Sequence, residues 1–335
     1  MPRVKANSHL KPTKRDYELL RGLFHCRLLT IEIAGNLHFR GSAEAARKRL
    51  TKLCNAGYIK KRRGKLNEQN IYVFTKAGFE LLKDKEQLGR YADMNWTEEI
   101  TKRATLKRQG LEHELMVMKV KAALEPAINA QEHFEVIEFG TWPRLYQFKV
   151  WRPVIDAQGY KTAKEEMLRP DGFLRIYRYD NTDNRDVYDL FLEVDMGTAS
   201  HTRLADKGVG YEQYYESGRF AARYGSSGAP KEKYPFRVLF VVASAERSNN
   251  ICEHILQSDE INWTRIWLTS FKKLLTDPLG SIWMRPRDYL DATAGTPYDP
   301  DKRRNINAYV RDPERERFVA QRVHTWSLFE SPRLG

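Results

Sequence analysis

Arg169-Pro170-Asp171-Gly172, followed by Leu192-Glu193-Val194-Asp195-Met196-Gly197-Thr198, is the stretch on which the fold turns. Residues 187–195 alternate, with Tyr188, Leu190, Leu192 and Val194 on one face of a strand and Asp189, Phe191, Glu193 and Asp195 on the other. Glu193 and Asp195 therefore point the same way. Like charges on neighbouring same-face positions repel, and Asp171 at the head of the preceding strand, 173–179, adds a third. A hard divalent cation among their oxygens would relieve the repulsion. The plainer reading is an amphipathic strand with a wet face, Asp171 merely opening a turn with Gly172.

Outward from this pair the pattern is mixed. A helix from Gln109 carries Leu111, Leu115, Met118, Ala122 and Leu124 on one face, and Phe134 to Phe139 reads as a strand. After the acidic strands come a helix over about 200–222, a strand at 236–243, a helix at 246–257 and a strand at 265–271. Tyr160-Lys161-Thr162 and Asn181 to Asn184 read as loops. The order predicts an α/β (α+β) domain over 111–290, a mixed sheet flanked by helices, with a polar basic tail over 291–335.

The front of the chain has a different organisation. Thr13 caps a helix with Tyr17, Leu20 and Phe24 at helical spacing, a short helix follows Thr30, and Ser42 caps a third helix reaching Ala56. The inner face of that third helix is Ala46, Leu50, Leu53 and Cys54, which turns Arg47, Lys48, Thr51, Lys52 and Asn55 outward. Tyr58 to Arg63 and Asn70 to Phe74 then form a hairpin around a basic tip, and Thr75-Lys76-Ala77-Gly78 opens another helix. Residues 86–110 read as a basic connector.

Charge divides the same way. Residues 1–110 hold 25 lysines and arginines against 11 aspartates and glutamates, while the rest of the chain holds 32 against 33. A basic front joined to a neutral body suggests nucleic-acid binding ahead of another activity. The longest strongly apolar run, Val238 to Ala243, is too short to span a bilayer, which with the absence of an apolar N-terminal segment predicts a cytoplasmic protein and no membrane partner. Cys26, Cys54 and Cys252 lie far apart, so neither a disulfide framework nor a zinc site is indicated. The histidines lack the His-x-His spacing of rolling-circle relaxases, and no Gly-x-x-x-x-Gly-Lys-Ser/Thr phosphate loop is present.

The string Leu50-x-x-Leu53-x-x-x-Gly57-Tyr58-Ile59 ahead of a basic hairpin resembles winged helix-turn-helix domains over residues 10–85, within a domain set at 1–85. That resemblance implies double-stranded DNA as partner and assigns Arg47, Lys48, Lys52, Lys60, Lys61, Arg62 and Arg63 to it. Pro-Asp at the head of one strand and Glu-x-Asp at the end of the next resembles the core of PD-(D/E)XK nucleases. More narrowly, a winged-helix front, Arg169-Pro170-Asp171, Leu192 to Thr198 and a helix bearing lysine and tyrosine resembles the plasmid replication-relaxation family across most of residues 10–285.

The nuclease resemblance implies Mg²⁺ or Mn²⁺ on Asp171 and Glu193, with the Val194 carbonyl contributing and Asp195 as a further carboxylate ligand. Where the nuclease pattern has lysine, this chain has Asp195, which can bind metal but places no positive charge beside an attacked phosphate. Lys207, in a stripe with Arg203, Tyr211 and Tyr214 on the following helix, is the candidate substitute. Plain packing of the tyrosines and a solvated lysine are the alternatives. Glu112, His113 and Glu114 are further candidates from the preceding helix. The resemblance implies a metal-dependent endonuclease of a plasmid or other mobile element that nicks or cuts DNA in replication or mobilisation. The missing lysine keeps open a non-catalytic DNA-binding regulator or accessory factor with a degenerate nuclease-like domain. A homodimer, or replication and mobilisation proteins as partners, fits either.

Overall fold

Three hydroxyl residues open the first three helices. Thr13, Thr30 and Ser42 hold extended backbone angles ahead of α1 (Lys14–His25), α2 (Ile31–His38) and α3 (Ala43–Asn55). Thr30 and Ser42 each accept the amide three residues on, filling a donor that a helix start leaves open. The computed structural model describes residues 10–26, 28–62, 70–96, 108–141, 146–155, 159–180, 185–257, 264–293 and 323–330. The chain forms two units, one of Met1–Ala130 with Gly140–Leu145 and one of Gln131–Phe139 with Tyr146–Gly335.

In the first unit, α3 leads into an antiparallel hairpin of β1 (Ile59–Arg62) and β2 (Ile71–Phe74), with Ile59 opposite Phe74 and Arg62 opposite Ile71. Thr75 bonds the carbonyls of Gly57 and Tyr58 and caps α4 (Lys76–Asp84), tying the hairpin base to the next helix. Gly78 makes this joint close: a Cβ there would lie 2.2 Å from the Tyr58 carbonyl oxygen. The expected inner face of α3 is largely as read, with Ala46, Leu50 and Leu53 buried and Cys54 half-buried. Asp16, fully buried, receives Arg49 of α3 at both carboxylate oxygens. Burial pushes the Asp16 carboxyl up, but Arg49 and Thr13 outweigh it and hold it below its ordinary value.

One element lies on the other side of the expected boundary. The helix α5 (Arg108–Asn129), read from the sequence as the opening of the 111–290 domain, belongs to the first unit. Its Met118 and Ala122 join the core of α1, α2 and α3, and Leu111 and Leu115 pack against Leu28, Ile71 and Val73. An apolar helical stripe states that a helix has a partner, not which one. Of the 86–110 connector, 97–107 lies outside the described residues, and Gly89–Tyr91 is a 3₁₀ turn.

The second unit is built on a five-stranded sheet. β3 (Phe134–Gly140), β6 (Gly172–Tyr179), β7 (Arg185–Asp195), β8 (Phe236–Val242) and β9 (Ile266–Ser270) lie side by side in that order. β6 and β7 are antiparallel; β7, β8 and β9 are parallel. Parallel neighbours need crossover helices, supplied by α6 (His201–Glu216) with the short α7 (Arg219–Tyr224), then by α8 (Ala245–Leu256). Between β3 and β6 a separate antiparallel hairpin, β4 (Phe148–Ile155) and β5 (Lys161–Leu168), takes in Lys161 and Thr162, which the sequence reading had placed in a loop.

Aromatic rings fill the space between β7, β8 and α6. Phe148 stacks on Tyr214 at 3.9 Å between ring centroids, and Phe173, Phe191, Phe220 and Phe236 surround them. α9 (Phe271–Thr276) and α10 (Pro286–Thr293) complete the described helices. The region expected as a polar tail from 291 is not uniformly so: Trp326 exchanges backbone hydrogen bonds with the buried Trp283, and Leu328 is buried. Its basic stretch from Lys302 to Arg317 lies outside the described residues. Among the described residues no helix is long and apolar enough to cross a membrane.

Candidate functional site

The antiparallel register decides which acids meet. Gly172 pairs with Leu192, so Asp171 comes opposite Glu193 and on the same face. The Asp171 amide donates to the Leu192 carbonyl at 2.9 Å, and its Oδ2 accepts the Val194 amide at 2.8 Å. The Glu193 carboxylate is 1% exposed. Its Oε2 accepts from Lys207 Nζ at 2.5 Å and its Oε1 from the Tyr211 hydroxyl at 2.6 Å.

Lys207 and Tyr211 reach the same carboxylate because α6 runs back over β7 and a four-residue step keeps them on one helix face. The expected wet face of β7 is therefore covered, and Asp189 to Asp195 are all buried. Each acid on that face meets a base: Asp189 a bidentate Arg175 at 2.7 and 2.8 Å, Glu193 Lys207, and Asp195 Arg247. The stripe Arg203, Lys207, Tyr211, Tyr214 starts exposed and ends buried, so it does not present a surface of phenols. Tyr214 and Tyr215 pack in the core, while Tyr211 both packs and donates.

Two carboxylates draw on one ammonium. Burial lifts the Glu193 carboxyl above its ordinary value; Lys207 opposes the shift and Asp171 adds to it. Burial works to lower the Lys207 ammonium, but Glu193 and then Asp171 outweigh it and hold it above its usual range. Burial and Glu193 push the Tyr211 hydroxyl well up, keeping it a neutral donor.

Asp195 departs from the expectation. It accepts Arg247 Nε from α8 and the Gly197 amide at 3.2 Å, while Arg247 also reaches the Ala199 carbonyl at 2.5 Å and His201 Nε2 at 3.2 Å. Among the described residues no three His, Cys, Asp or Glu side chains are placed to hold a metal ion. The expected three-carboxylate cage does not form. Two strand positions span about 6.6 Å, so Glu193 lies under α6 and Asp195 meets Arg247 of α8. Asp171 and Glu193 remain as a pair of hard oxygen donors side by side, which fits a divalent ion of the Mg²⁺ or Mn²⁺ kind in donor type.

In the first unit Arg47, Lys48 and Lys52 are exposed on α3, Lys60 and Lys61 are exposed on β1, and Arg62 is half-buried. Arg63 lies outside the described residues. Lys48 pairs with Glu44 at 2.7 Å on the open surface, a weak contact. Glu112, His113 and Glu114 lie on α5 in the first unit, with Glu114 buried. Sequence reasoning missed Arg247, since an arginine three residues after a capping serine is an ordinary helix start.

A family model described as replication-relaxation matches residues 20–229, more than half of the chain. No curated protein and no solved structure matches it.

Proposed function

The chain belongs to the replication-relaxation family, and on that premise we propose that it is a DNA-binding protein of a plasmid or other mobile element whose second unit cleaves a phosphodiester with Mg²⁺ or Mn²⁺ in replication or mobilisation. The first unit has the helix order and basic hairpin of a winged helix-turn-helix; Arg47, Lys48, Lys52, Lys60 and Lys61 are exposed on it, and with Arg62 and Arg63 they are the residues assigned to duplex DNA. The observation that carries the catalytic half is Asp171 set opposite Glu193 with Lys207 on Glu193 Oε2. Asp171 and Glu193 would hold the ion, which when bound supplies an acidified water and charge stabilisation at the phosphate.

The side chains then have distinct tasks. Lys207 brings the positive charge that Asp195 cannot, and its place on the helix after β7 lets it approach the carboxylates from above. Tyr211 fixes Glu193 Oε1 and so orients the carboxylate. Arg247 neutralises Asp195 and keeps it out of the pair.

A second reading has its own observation. Both oxygens of Glu193 are already hydrogen-bonded, and Asp195 is ion-paired, so the cluster is satisfied by protein groups alone. That suits a non-catalytic DNA-binding regulator or accessory factor. The test is conversion of supercoiled plasmid to open-circle or linear DNA in Mg²⁺ or Mn²⁺ by the wild type and Glu193→Gln. Cutting by the wild type, lost in a variant that binds duplex equally, establishes the nuclease. Equal binding with no cutting, together with no Mn²⁺ uptake by the wild type, establishes the regulator.

A further inference from the structure

A cavity of about 380 Å³ opens between the start of α1 and the outer side of α3, lined by Lys14, Arg15, Lys48, Arg49 and Lys52 with Phe39 as its apolar wall. Arg49 is taken by Asp16 and Lys48 by Glu44. Lys14, Arg15 and Lys52 have no carboxylate partner among the described residues, and Lys14, Arg15, Lys48 and Lys52 are all exposed. Lys14, Arg15 and Lys52 on one open rim, with Lys48 only weakly held by Glu44, make a local positive potential that favours an anion there.

The helix period assigns the two sides of α3 to different work. Lys48 and Lys52, four apart, face the cavity shared with α1; Arg47, Thr51 and Asn55 form a second exposed stripe about 100° around the helix. We propose that this cavity is a phosphate-binding site for the DNA backbone, in which Lys14 and Arg15 of α1 and Lys48 and Lys52 of α3 clamp one strand, leaving Arg47 and Thr51 for base edges. This rests on the reading of the first unit as a duplex-binding domain. It adds two residues of α1 to that surface and gives Lys48 and Lys52 a positioning role on phosphates. The positive end of the α1 dipole at the same opening favours the anion.

Binding of 30-base-pair duplexes of two unrelated sequences, followed by fluorescence anisotropy across a KCl series, tests it on the full chain. Lys14→Gln/Arg15→Gln should lower the slope of log K against log salt by about two and weaken both duplexes by the same factor, roughly tenfold at moderate salt. Lys14→Arg/Arg15→Lys, which keeps the charges, should bind as the wild type does and so separates charge from folding. An unchanged slope and affinity in the glutamine variant, while Lys60→Gln/Lys61→Gln weakens binding, overturns the clamp and leaves the duplex-binding reading standing. A wild type that binds neither duplex removes both.

Discussion

Glu193 and Asp195 leave one face of one strand, two positions apart, and the period-two reading that joined them was correct as far as it went. What alternation cannot convey is which helix each side chain meets. Glu193 finds Lys207 and Tyr211 on α6, Asp195 finds Arg247 on α8, and the acid pair that forms is Asp171 with Glu193 across the strand register. Lys207 was legible as a candidate from its position after the acidic motif; the hydroxyl of Tyr211 was hidden by its residue type, since a tyrosine at helical spacing reads first as packing. Tyr211→Phe tests its role in positioning. The hydroxyl bond favours the ionised carboxylate, so its loss pushes Glu193 further up from a value that burial has already raised. Mn²⁺ binding requires that carboxylate ionised, so its acidic limb should move to higher pH. A titration by Mn²⁺ electron paramagnetic resonance reads this without any turnover, and a limb that stays in place removes Tyr211 from the site.

Whole elements were legible where amphipathic spacing and caps agreed. Thr30 and Ser42 start their helices as their hydroxyls suggest, and the outer face of α3 is the one read from Ala46, Leu50 and Leu53. The β4–β5 hairpin was not legible: among the described residues β4 alternates from buried Phe148 and Val150 to exposed Lys149 and Trp151, but its partner β5 is exposed from Thr162 to Met167 and buries Leu168 alone, so its polar run carries no strand period. The partner of α5 was equally hidden, and His38 shows how tightly the elements of the first unit fit. Its ring lies over Gly22 of α1, where a Cβ would come 2.2 Å from Nε2, and that nitrogen is buried with no hydrogen-bond partner. Burial first, and then Lys121 of α5, lower the imidazole from 6.5 to about 4. The folded state thus excludes a proton that the unfolded chain accepts below about 6.5, so the stabilisation present above that pH is lost progressively toward pH 4. Thermal unfolding between pH 7 and pH 4 should show a falling midpoint in the wild type and a flatter profile in His38→Leu. Parallel profiles would mean that His38 takes up its proton without cost.

At the scale of the molecule, charge divides along the chain: 25 basic against 11 acidic residues up to 110, and 32 against 33 beyond. This was the most direct signal in the sequence, because an excess of that size on one region has few uses besides an anionic polymer. The acidic pair with Lys207 belongs to the other unit, and the two proposed activities rest on separate residues. They should therefore fail separately. Glu193→Gln should abolish nicking with the duplex dissociation constant unchanged, since the altered group is buried in a unit that carries no net charge excess. Lys60→Gln/Lys61→Gln should do the reverse: binding weakens, nicking falls with it, and both recover as salt is lowered, because the lost contacts are to phosphates and their contribution grows at low ionic strength. Comparing nicking rates at saturating protein distinguishes the two cases. A hairpin variant that binds fully at low salt yet still fails to cut would mean that β1 and β2 do more than hold the DNA, and the division of labour between the units would have to be redrawn.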